Sequence, residues 1–119
     1  MSFGRALFAR GRLKAGEMNK TEAEYAKHLE LRKRAGEVLW YRFESLKVKV
    51  ANDRCWYTPD FVVMLANGDL ELHEVKGARA IFQEDAIVKC KVVASEFPFR
   101  LIVCYPSKRD AGGWKFEEF

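Results

Sequence analysis

Thr58-Pro59-Asp60-Phe61-Val62-Val63-Met64-Leu65, then Ala66-Asn67-Gly68, then Asp69-Leu70-Glu71-Leu72-His73-Glu74-Val75-Lys76-Gly77 reads as two strands about a tight turn. Asn-Gly between two apolar, β-rich runs is the strongest short-range hairpin signal a sequence offers. Side chains alternate along a strand, so Leu72, Glu74 and Lys76 share one face and Glu71, His73 and Val75 the other. Register decides whether Asp60 joins Glu74. A two-residue turn at Asn67-Gly68 sets Asp60 opposite Val75, whereas a loop Ala66-Asn67-Gly68 with Gly68 left-handed pairs Leu65 with Asp69 and sets Asp60 opposite Glu74. The loop composition suits the longer turn, although apolar matching alone permits either. Directly opposed residues have Cβ atoms about 5 Å apart, and two carboxylates that close repel unless a cation lies between them.

Asp60, Glu74 and the Val75 backbone carbonyl together offer hard oxygen ligands of the kind Mg²⁺ or Mn²⁺ takes while keeping several waters. Lys76 shares the face of Glu74 and could orient a water or stabilise charge on a phosphate. His73 points away from Glu74 by alternation, which favours a structural or surface role, and His28 is expected to be exposed on a helix.

These residues resemble the PD-(D/E)XK nuclease superfamily. Asn19-Lys20-Thr21-Glu22-Ala23-Glu24-Tyr25, Tyr57-Thr58-Pro59-Asp60-Phe61 and His73-Glu74-Val75-Lys76-Gly77 are similar to a family of small phage and prophage proteins of uncharacterised function, grouped with the resolvase-like nucleases. The resemblance spans residues 18–104. It implies a restriction-endonuclease-like core and a metal-dependent endonuclease cutting DNA, with branched or junction DNA as a candidate substrate and a homodimer as a candidate assembly. It also implies an acid brought to the metal site from the start of the first helix. Glu22 is the matching position, to hold a second metal or a water; residue chemistry alone explains Glu22 as the partner of Asn19 in a capping box.

The remaining chain fits one domain. With 119 residues there is room for one core, and a net charge of +4 mildly favours a polyanion partner. Residues 1–17 form a basic arm with Arg5, Arg10, Arg12 and Lys14 among glycines, either tracking phosphates or merely solvated; residues 18–119 form the nuclease-like domain. Lys20, Arg32, Arg79 and Lys89 are further candidates for nucleic-acid contact. Cys55, Cys90 and Cys104 form no C-x-x-C pair and read as free thiols in a reducing cytoplasm, which the resemblance to phage and prophage proteins implies is that of a bacterial host. No apolar run reaches membrane-span length, so no membrane partner is expected.

Periodicity predicts a helix from Lys20 to about Ala35, β-structure over Glu37–Val50, and the central hairpin. A helix capped by Asp85 and a strand over Phe99–Tyr105, parallel to the Glu74 strand, follow. The expected layout is α-β-β-β-α-β, an α/β fold whose mixed sheet is flanked by a helix on each face. Lys47 and Lys49 protect an edge strand or contact phosphate, and Trp114, Phe116 and Phe119 are expected in the core. The alternatives to a nuclease are a non-catalytic nucleic-acid-binding module, with the acids and Lys76 as a structural ion cluster, and a phage structural or regulatory protein indifferent to nucleic acid.

Overall fold

The computed structural model describes residues 16–78 and 83–119. Arg5, Arg10, Arg12, Lys14 and Arg79 lie outside the described residues. Helix α1 spans Lys20–Arg34 and is followed by strands β1 (Val38–Phe43), β2 (Val48–Ala51), β3 (Cys55–Tyr57), β4 (Phe61–Leu65) and β5 (Leu70–Val75). Helix α2 (Glu84–Glu96), β6 (Arg100–Pro106) and β7 (Trp114–Glu118) complete the order. Among the described residues the protein is mixed α/β, with a five-stranded sheet ordered β1-β4-β5-β6-β7 and a two-stranded sheet β2-β3. Only the β5–β6 pair of the larger sheet is parallel, and α2 makes the crossover between those two strands.

Apolar alternation fills both faces. Tyr25 and Leu29 of α1 pack with Val38, Phe61, Val63, Val75, Cys104 and Trp114 on one side. On the other, Cys90 and Val93 of α2 pack with Val62, Leu72, Leu101, Val103 and Tyr105, joined by Val48 and Tyr57 of the small sheet. No helix among the described residues is long and apolar enough to cross a membrane.

Two elements depart from the sequence expectation. The alternation Leu46, Val48, Val50 suggests a strand of the main sheet, but β2 pairs with β3 as a separate ribbon laid over the α2 face. The chain's last residues form β7 on the free edge of β6, with Trp114 buried, Phe116 largely exposed and Phe119 partly buried. His28 is not simply exposed: it stacks on Tyr25 with ring centroids 5.4 Å apart and lies 5.9 Å from Phe116.

Candidate active site

The central hairpin has the longer loop. Leu65 N–H donates to the Asp69 carbonyl and Gly68 N–H to the Leu65 carbonyl, each at 2.9 Å, and Gly68 has φ +94°. That left-handed conformation suits glycine, which has no Cβ to clash. The ladder pairs Met64 with Leu70, Val63 with Glu71, Val62 with Leu72 and Phe61 with His73. One step further places Asp60 opposite Glu74, both on the α2 face, where alternation also puts Val62 and Leu72.

The ladder stops there for a chemical reason. Continued, it would set Pro59 opposite Val75, and proline has no N–H to offer the Val75 carbonyl. The Asp60 side chain takes over the other half of the missing pair, its Oδ2 accepting the Val75 N–H at 2.8 Å. The N–H and C=O of one strand residue point to the same side, so the Val75 carbonyl faces this opening beside Asp60.

Both acids are buried, Asp60 with 1 % and Glu74 with 6 % exposure. Glu74 Oε1 accepts from the Tyr57 hydroxyl at 2.7 Å, and Lys76 Nζ stands 3.3 Å from its other oxygen. Burial first, then repulsion from the Asp60 carboxylate, pushes the Glu74 carboxyl up to about 7, against the pull of Lys76 and of the Tyr57 hydrogen bond. Tyr57 itself is driven well above the usual phenol range by burial and then by the Glu74 charge, so its hydroxyl stays protonated and donates. Cys90, 3.9 Å from the Tyr57 oxygen, is pushed up to about 12 mainly by burial and is an inert thiol at neutral pH.

This donor set fits a hard divalent cation: two buried carboxylates, the charge of Asp60 raising the proton affinity of Glu74, with a backbone carbonyl facing the same opening. Among the described residues no three of His, Cys, Asp and Glu gather as a metal-holding group, so such an ion would rest on Asp60, Glu74 and the Val75 carbonyl, with water or phosphate oxygens for the rest.

Glu22 takes the structural option. Its Oε1 accepts the Asn19 N–H at 2.9 Å while Asn19 Oδ1 accepts the Glu22 N–H at 2.8 Å, a closed capping box at the start of α1. Glu22 is buried there and is not gathered with Asp60 and Glu74. Asn19→Ala removes the side-chain acceptor of the Glu22 N–H and leaves the backbone N–H that Glu22 accepts; the expected loss is about 1 kcal/mol of unfolding free energy, read by urea denaturation.

The predicted basic residues separate in space. Lys89 on α2 reaches the small sheet, its Nζ 3.4 Å from the Trp56 carbonyl. Lys20 is exposed at the start of α1. Arg32 is ion-paired with Glu37 at 3.0 Å and lines a groove with His28, Glu71 and Arg100 on the α1 face, away from the acid pair.

Sequence reasoning missed Tyr57 as the partner of Glu74; the signal was a tyrosine on an apolar ribbon face, whose buried hydroxyl must find an acceptor. It also missed a chain of hydrogen bonds on the α1 face. Tyr25 Oη lies 2.6 Å from His73 Nδ1, His73 Nε2 lies 3.0 Å from Glu71 Oε1, and Arg100 holds Glu71 Oε2 at 2.8 Å. Burial lowers the His73 pKa despite the favourable Glu71 contact, so the ring is neutral, accepting from Tyr25 and donating to Glu71. Every buried side-chain polar atom among the described residues is satisfied, and this chain ties α1 to β5. No family model matches the chain, and no curated protein or solved structure is significantly similar to it.

Proposed function

We propose that the chain is a metal-dependent endonuclease that hydrolyses DNA phosphodiester bonds, with the restriction-endonuclease-like arrangement of the PD-(D/E)XK superfamily and a place in the cytoplasm of a bacterial host carrying a phage or prophage. The observation that carries the reading is the hairpin register, which sets Asp60 opposite Glu74, with Lys76 on Glu74, where Pro59 ends the ladder. Asp60, Glu74 and the Val75 carbonyl are the ligands for Mg²⁺ or Mn²⁺. Such an ion would supply Lewis acidity to the scissile phosphate and its attacking water.

The protein's own groups do the remainder. Tyr57 fixes the Glu74 carboxylate by its 2.7 Å hydrogen bond. Lys76, bound at the mouth of the site, places a positive charge where negative charge builds on the phosphate oxygens. Water's oxygen bonds to phosphorus, the P–O bond to the leaving nucleotide breaks, and the products are a phosphate end and a hydroxyl end. Flapped or four-way-junction DNA, cut by a homodimer, is the substrate the resemblance favours.

A second reading has its own support: each acid already has protein partners, Val75 N–H for Asp60 and Tyr57 and Lys76 for Glu74, while Glu22 is engaged in its cap. Under that reading the cluster is structural and the chain binds nucleic acid without cutting it. Incubating the purified protein with linear, flapped and four-way-junction DNA, with Mg²⁺ and with chelator, separates the two. Cleavage with Mg²⁺ alone is expected; metal-indifferent binding without cleavage would establish the second reading.

A further inference from the structure

The β2–β3 ribbon packs Val48 and Tyr57 into the core and turns Lys47, Lys49 and Trp56 outward. Lys49 lies directly across from Trp56 in the ladder. The ammonium groups of Lys47 and Lys49 sit 5.3 and 5.8 Å from the centroid of the Trp56 ring. Neither lysine has a carboxylate partner among the described residues, whereas Lys27, Arg32, Arg34, Lys76 and Arg100 all have one. Two unneutralised cations therefore converge on one half-buried aromatic ring.

The ribbon's turn adds a third cation under strain. Asp53 and Arg54 have φ of 68° and 66°, successive non-glycine residues in the left-handed region, and Arg54 is exposed at the tip. Backbone strain of this kind concentrates at sites that bind or switch. The next residue after Trp56 is Tyr57, whose hydroxyl holds Glu74, so the outward ring and the acid pair are served by adjacent residues of one strand. Lys89 clamps that strand to α2 through the Trp56 carbonyl.

We infer that the β2–β3 ribbon is a platform for single-stranded DNA, with an unpaired base stacked on Trp56 and its flanking phosphates held by Lys47, Lys49 and Arg54. A ring stacks on a base only where the base's own neighbours have left its face open, which selects single strands, flaps and frayed ends over duplex. A lysine over an exposed ring gains less than a stacked base does, so an arriving base displaces the ammonium, and the ammonium moves to phosphate. That the bound strand goes on to hydrolysis at Asp60 and Glu74 rests on the nuclease reading above; the stacking does not.

The test measures binding in chelator, where no cleavage occurs, using labelled oligo-dT and a duplex of equal length at one stated salt concentration. Oligo-dT is expected to bind more tightly than duplex. Trp56→Ala should weaken oligo-dT binding about 10-fold or more while Trp56→Phe, which still stacks, keeps most of the affinity. Lys47→Gln with Lys49→Gln should reduce the slope of log affinity against log salt by about 1.4, roughly 0.7 for each lysine on a single strand. Oligo-dT should quench tryptophan emission in the wild type and not in Trp56→Phe, where Trp40 and Trp114 remain, so the result does not depend on the alanine variant folding. Unchanged oligo-dT affinity in Trp56→Ala, quenching that survives Trp56→Phe, or equal affinity for duplex would overturn the platform. Trp56-dependent binding with no cleavage on adding Mg²⁺ would overturn the nuclease reading alone.

Discussion

Asp60→Asn is expected to lower Mg²⁺-dependent cleavage by about 10²-fold or more while leaving the fold intact. The amide oxygen can still accept the Val75 N–H that Asp60 Oδ2 accepts at 2.8 Å, so the backbone junction keeps its hydrogen bond. What disappears is one formal charge from a two-carboxylate donor set, and a hard cation binds through that charge. Metal-free DNA binding should persist or tighten slightly, because phosphate contacts dominate affinity and a nearby negative charge has gone. Asp60→Ala is the informative companion: it also strips the Val75 N–H of its partner, at a cost of about 1–3 kcal/mol in a buried position. Cleavage and urea unfolding on the same preparations check both. An asparagine variant that cuts at the wild-type rate would place the chemistry elsewhere.

The second large effect concerns stability. Glu74 is a carboxyl whose folded pKa, about 7, lies above its ordinary value of 4.5, through burial first and Asp60 second. The native state therefore holds more protons than the unfolded chain between those two values, and stability falls as pH rises through that window. Glu74→Gln removes the titration and keeps an oxygen for the Tyr57 hydroxyl. At pH 8 without metal, the glutamine variant should be more stable than the wild type by on the order of 2 kcal/mol, and the gap should close toward pH 4.5. Millimolar Mg²⁺ should stabilise the wild type and not the variant, because only the wild type presents both charges. Thermal unfolding across pH 4.5–8, with and without Mg²⁺, reads all of this; a wild type and variant that stay parallel over that range would show that Glu74 is not a strained acid.

Much of the arrangement was legible because it was local. Asn67-Gly68 with Ala66 announced a loop whose geometry then fixed the partner of every residue back to Asp60. The helix over Lys20–Arg34 was legible from Asn19 and Glu22, and the parallel β6 from the length of the crossover. The separate β2–β3 ribbon was not, since Leu46, Val48 and Val50 alternate as they would in either sheet, and pairing choice is a long-range matter. Strand β7 was equally hidden: Trp114-Lys115-Phe116-Glu117-Glu118 is short, and it gains its conformation from the exposed edge of β6. For Glu22, the sequence offered a cap and an active-site acid at once, and the closed box with Asn19 is what the fold displays.

The loop at residues 66–68 acts as a gear tooth for chemistry some five strand residues, or about 17 Å, away. Strands mesh in steps of one residue, and each step turns a side chain through half a revolution. Drawing Ala66 out of the loop to face Asp69 would slip β4 by one notch, carrying Asp60 from the α2 face into the packing around Tyr25 and bringing Phe61 round to Glu74. Such a slip at the surface, touching neither acid, would dismantle the pair outright. Deleting Ala66 would leave Leu65 opposite Asp69 across the two-residue turn Asn67-Gly68 and should spare the pair, so what this turn guards is which residue faces Asp69.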